Sequence, residues 1–273
     1  MTALTRPAAL PETALWLRRL REAVAPALVF VAVLLIWEFG LTLLDVKQFL
    51  LPRPSVILAA LADQQSILSK GTVYTAGEAF GGLTIGGVLG ILAAVVAVRW
   101  SSARELVMPI GVAASAIPII ALAPLTNIWF GSLSQTSRIA IVAVMVFFPM
   151  LINTVRGLTD VDPAALELMR ASAASPRQVL LKLRLPNALP YIFTALRVAT
   201  TLAVIGAVVG EYFGGPTYAL GVYITSEAYV FRYDHAWAAI LIACTLGIGS
   251  YVLVSLVERV AVPWHASHRQ AGP

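Results

Sequence analysis

Between Lys70 and Arg99 the chain passes 28 residues with a single charge, Glu78, and residues 106–137 contain no charge at all. No helix or strand made from such runs has a face polar enough to meet water over its length, so they belong in hydrocarbon or in a very large core. The rest of the composition rules out the core. Only 12% of the 273 residues are charged and 59% are hydrophobic, whereas a water-soluble domain carries about 25% charged residues to coat its surface. A soluble enzyme is excluded on that ground. The net charge of +5 does not point to nucleic acid, because the basic residues fall between apolar runs and not along one polar face. Cys244 is the only cysteine, so the chain forms no internal disulfide and has no cysteine cluster for a metal.

A helix crossing about 30 Å of hydrocarbon needs about 20 residues with every backbone group bonded internally. Bracketing the apolar runs by charges and turn signals predicts an all-α membrane protein of six spans, at about 23–44, 72–98, 106–130, 137–155, 187–210 and 236–257. Residues 1–22 then form a cytoplasmic N-terminal segment and 261–273 a cytoplasmic tail, around one six-span unit of 23–260. The turn signal Gly131-Ser132-Leu133-Ser134 ends the third span near Phe130. With the N-terminus inside, the inner segments hold thirteen Lys and Arg against five outside (Lys47, Arg53, Lys70, Arg138 and Arg232), which places both termini in the cytoplasm. The first run is longer than a signal-peptide core and lacks a small-x-small cleavage site, so it reads as an uncleaved anchor.

Within the spans, glycines recur four apart at 77/81, 82/86 and 86/90. That spacing lets two helices approach backbone to backbone and predicts a central place for the second span. Pro118 and Pro124 predict a kinked or broken third span. Charges at depth need a partner or a wet surface. For Arg197 the choices are pairing with a carboxylate in the bundle or a part in the pathway; for Glu38 and Glu78 they are solvation or a structural ion pair. Glu211, Tyr212 and Phe213 precede Gly214-Gly215-Pro216, where they read either as an outer mouth contacting solute or a docked binding protein, or as an interfacial aromatic belt. The outer segment from Tyr218 to Asp234, with Tyr223, Glu227, Tyr229 and Arg232, is a weaker candidate for a docking surface. No carboxylates converge at a catalytic spacing, and His235, His265 and His268 suggest no metal site.

The segment 156–186 is too polar to span and too well patterned to be slack. Asp162-Pro163 is an N-cap followed by proline at the first helical position, starting a helix through Leu166, Glu167, Met169 and Arg170. Ser175 and Gln178 stand in capping-box register and start a second helix running to about Arg184, joined to the first by a turn at Ala173-Ala174. Pro186 and Pro190 then redirect the chain into the fifth span. By periodicity alone, this helix pair either lies on the bilayer surface or closes the inner face of the bundle.

Residue identity adds a further reading. Glu167, then Ala173-Ala174-Ser175, then Leu185-Pro186-Asn187-Ala188-Leu189-Pro190, resembles the EAA loop of permease subunits in binding-protein-dependent ABC importers. Leu168 and Met169 replace the two alanines of that pattern, and Ala173 replaces its glycine, where a positive φ costs alanine about 1 kcal/mol. The resemblance extends to Phe49-Leu50-Leu51-Pro52-Arg53-Pro54-Ser55, Ala116-Ile117-Pro118 through Trp129-Phe130-Gly131, Phe147-Phe148-Pro149, and Pro190-Tyr191 through Leu196-Arg197. It is greatest to the branch importing nitrate, sulfonates, taurine, pyrimidine precursors and riboflavin.

The resemblance implies a type I importer permease in a bacterial inner membrane, paired with a second copy in a homodimer, served by an extracytoplasmic binding protein and docked on a dimer of ABC ATPase subunits. It makes the loop the coupling element, with Pro163, Leu166, Glu167, Met169, Arg170, Ala173 and Ser175 at the joint; Leu166 and Met169 are expected to be buried in the ATPase and Glu167 to make a polar contact. No Gly-x-x-x-x-Gly-Lys-Ser/Thr phosphate cradle occurs in the chain, so ATP is expected on the partner, with no cofactor and no enzymatic activity here. A self-sufficient secondary transporter would need midplane coupling carboxylates and inverted repeats, and an intramembrane enzyme would need a nucleophile and base at depth. Neither pattern is evident.

Overall fold

A computed structural model of the chain describes residues 12–264. Residues 1–11 and 265–273, with Arg6, His265, His268 and Arg269, lie outside the described residues. Every regular element described is helical: α1 Glu12–Leu43, α2 Pro54–Asp63, α3 Gln65–Ala97, α4 Ser101–Ser115, a 3-10 turn Ile119–Leu122, α5 Ala123–Phe130, α6 Gln135–Thr159, α7 Pro163–Ala171, α8 Pro176–Val179, a π-turn Leu180–Arg184, α9 Leu185–Glu211, α10 Leu220–Tyr229 and α11 Tyr233–Ala261.

The bundle is organised by α3 and α6. Small residues on one face of α3 let α6 lie directly against its backbone. A Cβ added at Gly86 would overlap the Ala143 backbone, and one added at Gly90 would lie 2.8 Å from the Phe147 carbonyl oxygen and 2.9 Å from Met150 Cβ. Gly87, one residue round the helix, faces open space. The contact register rises together along both helices, from Gly77 beside Gln135 through Gly81 beside Ile139 to Gly90 beside Met150. The two helices therefore run parallel.

Parallel packing has a topological consequence. The chain leaving α3 at Ala97 must return across the bundle before α6 begins at Gln135. Five helices are long and apolar enough to cross a bilayer among the described residues, and the third expected span is not a sixth continuous one. That crossing is broken, with α4 ending at Ser115, a short 3-10 turn following Pro118, and α5 carrying Pro124 in its first turn. The cause is local, since each proline lacks the N–H an uninterrupted helix requires. Gly131, at φ 90°, stops α5, and the Ser134 side chain caps α6 by accepting from the Thr136 N–H.

Polar ties reinforce the packing. Arg138, in the first turn of α6, is fully buried and donates from Nε to Glu78 Oε1 of α3 at 2.9 Å. Its other nitrogens donate to the Ser132 carbonyl at 2.7 Å and the Tyr74 hydroxyl at 3.1 Å. Sequence bracketing places Arg138 in an outer loop; the structure instead folds it inward as the partner of Glu78. Helix α9 runs antiparallel to α6, with Gly210 against the Arg138 stem and Gly157 against Ala188 and Tyr191. Helix α11 covers α9, and the Arg197 Nε to Glu258 Oε2 ion pair, 3.2 Å long, joins them. From Val24 to Leu43, helix α1 is largely bare. It is held where Glu38 accepts from the Ser55 N–H (3.0 Å) and Oγ (2.7 Å) at the start of α2, and where Trp37 meets Trp237 edge to face. In hydrocarbon a bare apolar face is the solvated one.

Two outcomes follow. Gly86→Ala is expected to destabilise the detergent-solubilised protein by about 1–3 kcal/mol through overpacking against Ala143, although alanine is by about 1 kcal/mol the better helix former; Gly87→Ala should not destabilise it. Arg138→Met strands a buried Glu78 and is expected to cost about 3–5 kcal/mol, while the double variant Glu78→Met/Arg138→Met should recover most of the loss. Thermal unfolding midpoints and monodispersity on size exclusion measure both.

Candidate functional site

The segment between α6 and α9 is built from local signals. The Asp162 carboxylate accepts from the Ala164 N–H at 3.0 Å, and Pro163 opens α7 without leaving an N–H unpaired. Helix α7 closes in a Schellman motif. The Ala174 N–H reaches the Met169 carbonyl (3.0 Å), the Ala173 N–H reaches the Arg170 carbonyl (2.9 Å), and Ala173 takes the left-handed conformation at φ 50°. Alanine thus performs the turn that glycine performs more easily. Ser175 and Gln178 form a reciprocal capping box, with bonds of 3.3 and 2.8 Å.

Beyond this box the structure corrects the sequence reading. The chain is not redirected at Pro186 and Pro190; α8 runs through the π-turn into α9 as one unbroken helical rod to Glu211. Pro186 cannot donate to the carbonyl four residues back, and the turn before it widens so that the Leu185 N–H bonds to the Leu180 carbonyl, five residues back. Pro190 sits inside α9 and is tolerated there.

Helix α7 has no fully buried residue. Pro163, Glu167, Arg170, Ala173 and Ser175 are exposed. Leu166 and Met169, the expected docking anchors, are already half-buried within their own chain; the large apolar side chain that α7 offers outward is Leu168, 67% exposed.

Glu211 lies at the opposite ends of the helices. It is buried, accepting from the Thr75 hydroxyl at 2.7 Å and the Gly221 N–H at 2.6 Å, while Thr75 in turn accepts from the Leu220 N–H at 3.2 Å. Those two N–H groups open α10 and have no partner within their helix. Glu211 therefore pins α10 to α3 and α9. Tyr212 and Phe213 are half exposed, and the Phe213 carbonyl accepts from Asn127 Nδ2 at 2.9 Å. Arg197 is partly exposed and pairs with Glu258. In α10, Tyr223 is buried and its hydroxyl meets His235 Nδ1 at 3.1 Å; burial pushes that hydroxyl up to about 12, so it stays protonated. Glu227 pairs with Arg232 at 3.3 Å, and Tyr229 is exposed. The inward roles of Arg138 and Thr75 escape a span-by-span reading. The available signal was one unpaired arginine and one unpaired glutamate in different apolar runs, since each requires a partner at depth.

Residues 86–261 match the family described as the inner membrane component of binding-protein-dependent transport systems. The chain is 33% identical to the formylaminopyrimidine transport permease protein ThiX of Halalkalibacterium halodurans, over 91% of this chain and 98% of that one. It is 32% identical to the riboflavin transport system permease protein RibX of Chloroflexus aurantiacus, covering 86% and 87%, and 29% identical to a putative aliphatic sulfonates transport permease protein, SsuC, of Bacillus subtilis, covering 86% of each. A crystal structure of an amino acid ABC transporter with histidines superposes at a TM-score of 0.57 with 17% identity, covering 74% of this chain and 97% of that one. An inward-facing MetNI methionine ABC transporter gives 0.54 with 18% identity, covering 71% and 98%. Matched over most of its length in sequence and sharing the fold, the chain belongs to the inner-membrane permease subunits of binding-protein-dependent ABC importers.

Proposed function

We propose that this permease forms the membrane path for a small organic or anionic nutrient, delivered by an extracytoplasmic binding protein, and that α7 takes up the work of a separate ATPase. The relatives' printed substrates, a formylaminopyrimidine, riboflavin and aliphatic sulfonates, set the chemical range. The excess of Lys and Arg on the segments level with α7 favours placing α7 in the cytoplasm. A second copy of the chain completes the path, and each copy meets one ATPase subunit.

The observation that carries the reading is α7 itself. A nine-residue helix with no fully buried residue has little tertiary packing to hold it, yet it is capped at both ends and displays Leu168 beside Glu167. Such a helix is shaped to be covered by another protein. Leu168 supplies the apolar anchor and Glu167 the polar contact at the rim, with Pro163, Arg170, Ala173 and Ser175 setting the outline and Leu166 and Met169 stiffening the helix from behind.

Burying one leucine is worth about 1.5–3 kcal/mol, so Leu168→Asp is expected to weaken co-purification of the ATPase by about 10- to 100-fold. Glu167→Arg should separate ATP hydrolysis from uptake while the permease remains in the membrane. Retention of the ATPase and of normal uptake by both variants would remove α7 from the joint.

A further inference from the structure

The π-turn and Pro186 deliver Asn187 to the end of α6. Its Nδ2 group donates to the Gly157 carbonyl at 2.9 Å and to the Asp160 carbonyl at 2.7 Å. The Gly157 carbonyl belongs to the last turn of α6 and the Asp160 carbonyl to its C-cap, where no N–H of the same helix is available. One turn further along α9, the Tyr191 hydroxyl donates to the Asp160 carboxylate. Gly157 lets the two helices touch at this level, since a Cβ there would lie 2.8 Å from Tyr191 Cβ and 2.9 Å from Ala188 Cα. Three observations of different kinds thus converge on one place: a rare helical turn, a close backbone approach, and three hydrogen bonds from α9 to a single turn of α6.

What hangs from that place gives it meaning. Asp160 is followed by Val161 alone before Asp162, the N-cap of α7. On the other side, α7 joins the α8–α9 rod through the Schellman turn and the capping box. Without the α9 contacts, residues 160–162 would act as a slack strap, able to absorb a displacement of α7 by backbone rotation. With Asp160 held on α9, the strap shortens to Val161 and Asp162.

We propose that Asn187 and Tyr191 are positioning residues for coupling: they clamp the end of α6 to the start of α9, so that movement of α7 displaces both helices as one body. This rests on α7 being the ATPase joint. Coupling between distant sites requires an element with defined arrangements that both sites bias, and a hinge free to rotate at Asp160 would not transmit the bias to α6.

The test uses the full complex of permease, ATPase and binding protein in liposomes. Cys244, the only native cysteine, is first replaced by serine. Leu133→Cys, 71% exposed just ahead of the far end of α6, then reports α6 movement as the change in its labelling rate with fluorescein maleimide when ATP and vanadate are added. A second cysteine in α7 reports attachment by cross-linking to the ATPase. In Asn187→Leu/Tyr191→Phe the cross-link is expected to persist, while the Leu133→Cys response falls at least about fivefold, the equivalent of one of the three hydrogen bonds removed. Asp160→Asn keeps an acceptor for Tyr191 and should retain the response, and Asp160→Leu should not. If the double variant does not insert, Tyr191→Phe alone is compared with Asp160→Asn in the same assay. A full response without the clamp, or loss of the cross-link together with the response, overturns the proposal. Leu168→Asp and Glu167→Arg separate the two ideas: if both leave the ATPase attached and uptake normal, the reading of α7 fails, whereas if either disrupts attachment or uptake and the clamp variants still respond fully, the clamp alone fails.

Discussion

The backbone contact between α3 and α6 governs the rest of the molecule. In hydrocarbon, apolar side chains gain little by leaving lipid for one another, so association is won by packing and by internal polar contacts. The Gly86 and Gly90 positions allow that packing, and the Glu78–Arg138 pair adds a charge contact at one end of the same helix pair. Because the two helices are parallel, an intervening crossing is obligatory. It is the least regular part of the bundle, since Pro109, Pro118 and Pro124 leave no long uninterrupted hydrogen-bond ladder.

The two ends of the bundle are held by different chemistry. At one end, Arg138, Glu78, Glu211 and Thr75 are buried and tie α3, α6, α9 and α10 through charge-assisted hydrogen bonds. Breaking such contacts leaves an unpaired charge in a medium that solvates it poorly, which resists separation of these helix ends. At the other end the ties are made by Asn187, Tyr191 and the caps of α7, at partly exposed groups. There water can replace a lost partner, so individual contacts are weaker and rearrangement is easier.

The helical class and the general extent of the apolar runs were legible in the sequence because hydrocarbon imposes length and charge exclusion together. The caps of α7 and α8 were legible too, because Asp162-Pro163 and Ser175 to Gln178 act within four residues of themselves. Contacts between runs were not. The pairing of Arg138 is hidden because its partner lies 60 residues earlier, and the burial of Glu211 is hidden because the start of α10, which it caps, follows a loop of unspecified path. The course through Pro186 was misread for a related reason. Proline forbids the ordinary bond, but a five-residue bond avoids the conflict without bending the chain away. Leu166 and Met169 define the more obvious apolar face of the helix, and only the folded chain shows that this face is partly covered while Leu168 is exposed.

The continuity of α8, the π-turn and α9 alters what kind of part the loop is. A pair of short helices set between redirecting prolines would be a pendant, free to swing at both attachments. In the structure one attachment is the end of a membrane-length rod, with no interruption of the helix between Pro176 and Glu211. The turn joining that rod to α7 is fixed by two carbonyl contacts and a capping box, and it holds Ala173 in a conformation costing about 1 kcal/mol. A slack turn would relieve that cost by opening; its persistence here means the neighbouring bonds outweigh it. Freedom between α7 and the bundle is therefore concentrated in the short stretch after Asp160, and the side chains reaching across from α9 act on that stretch.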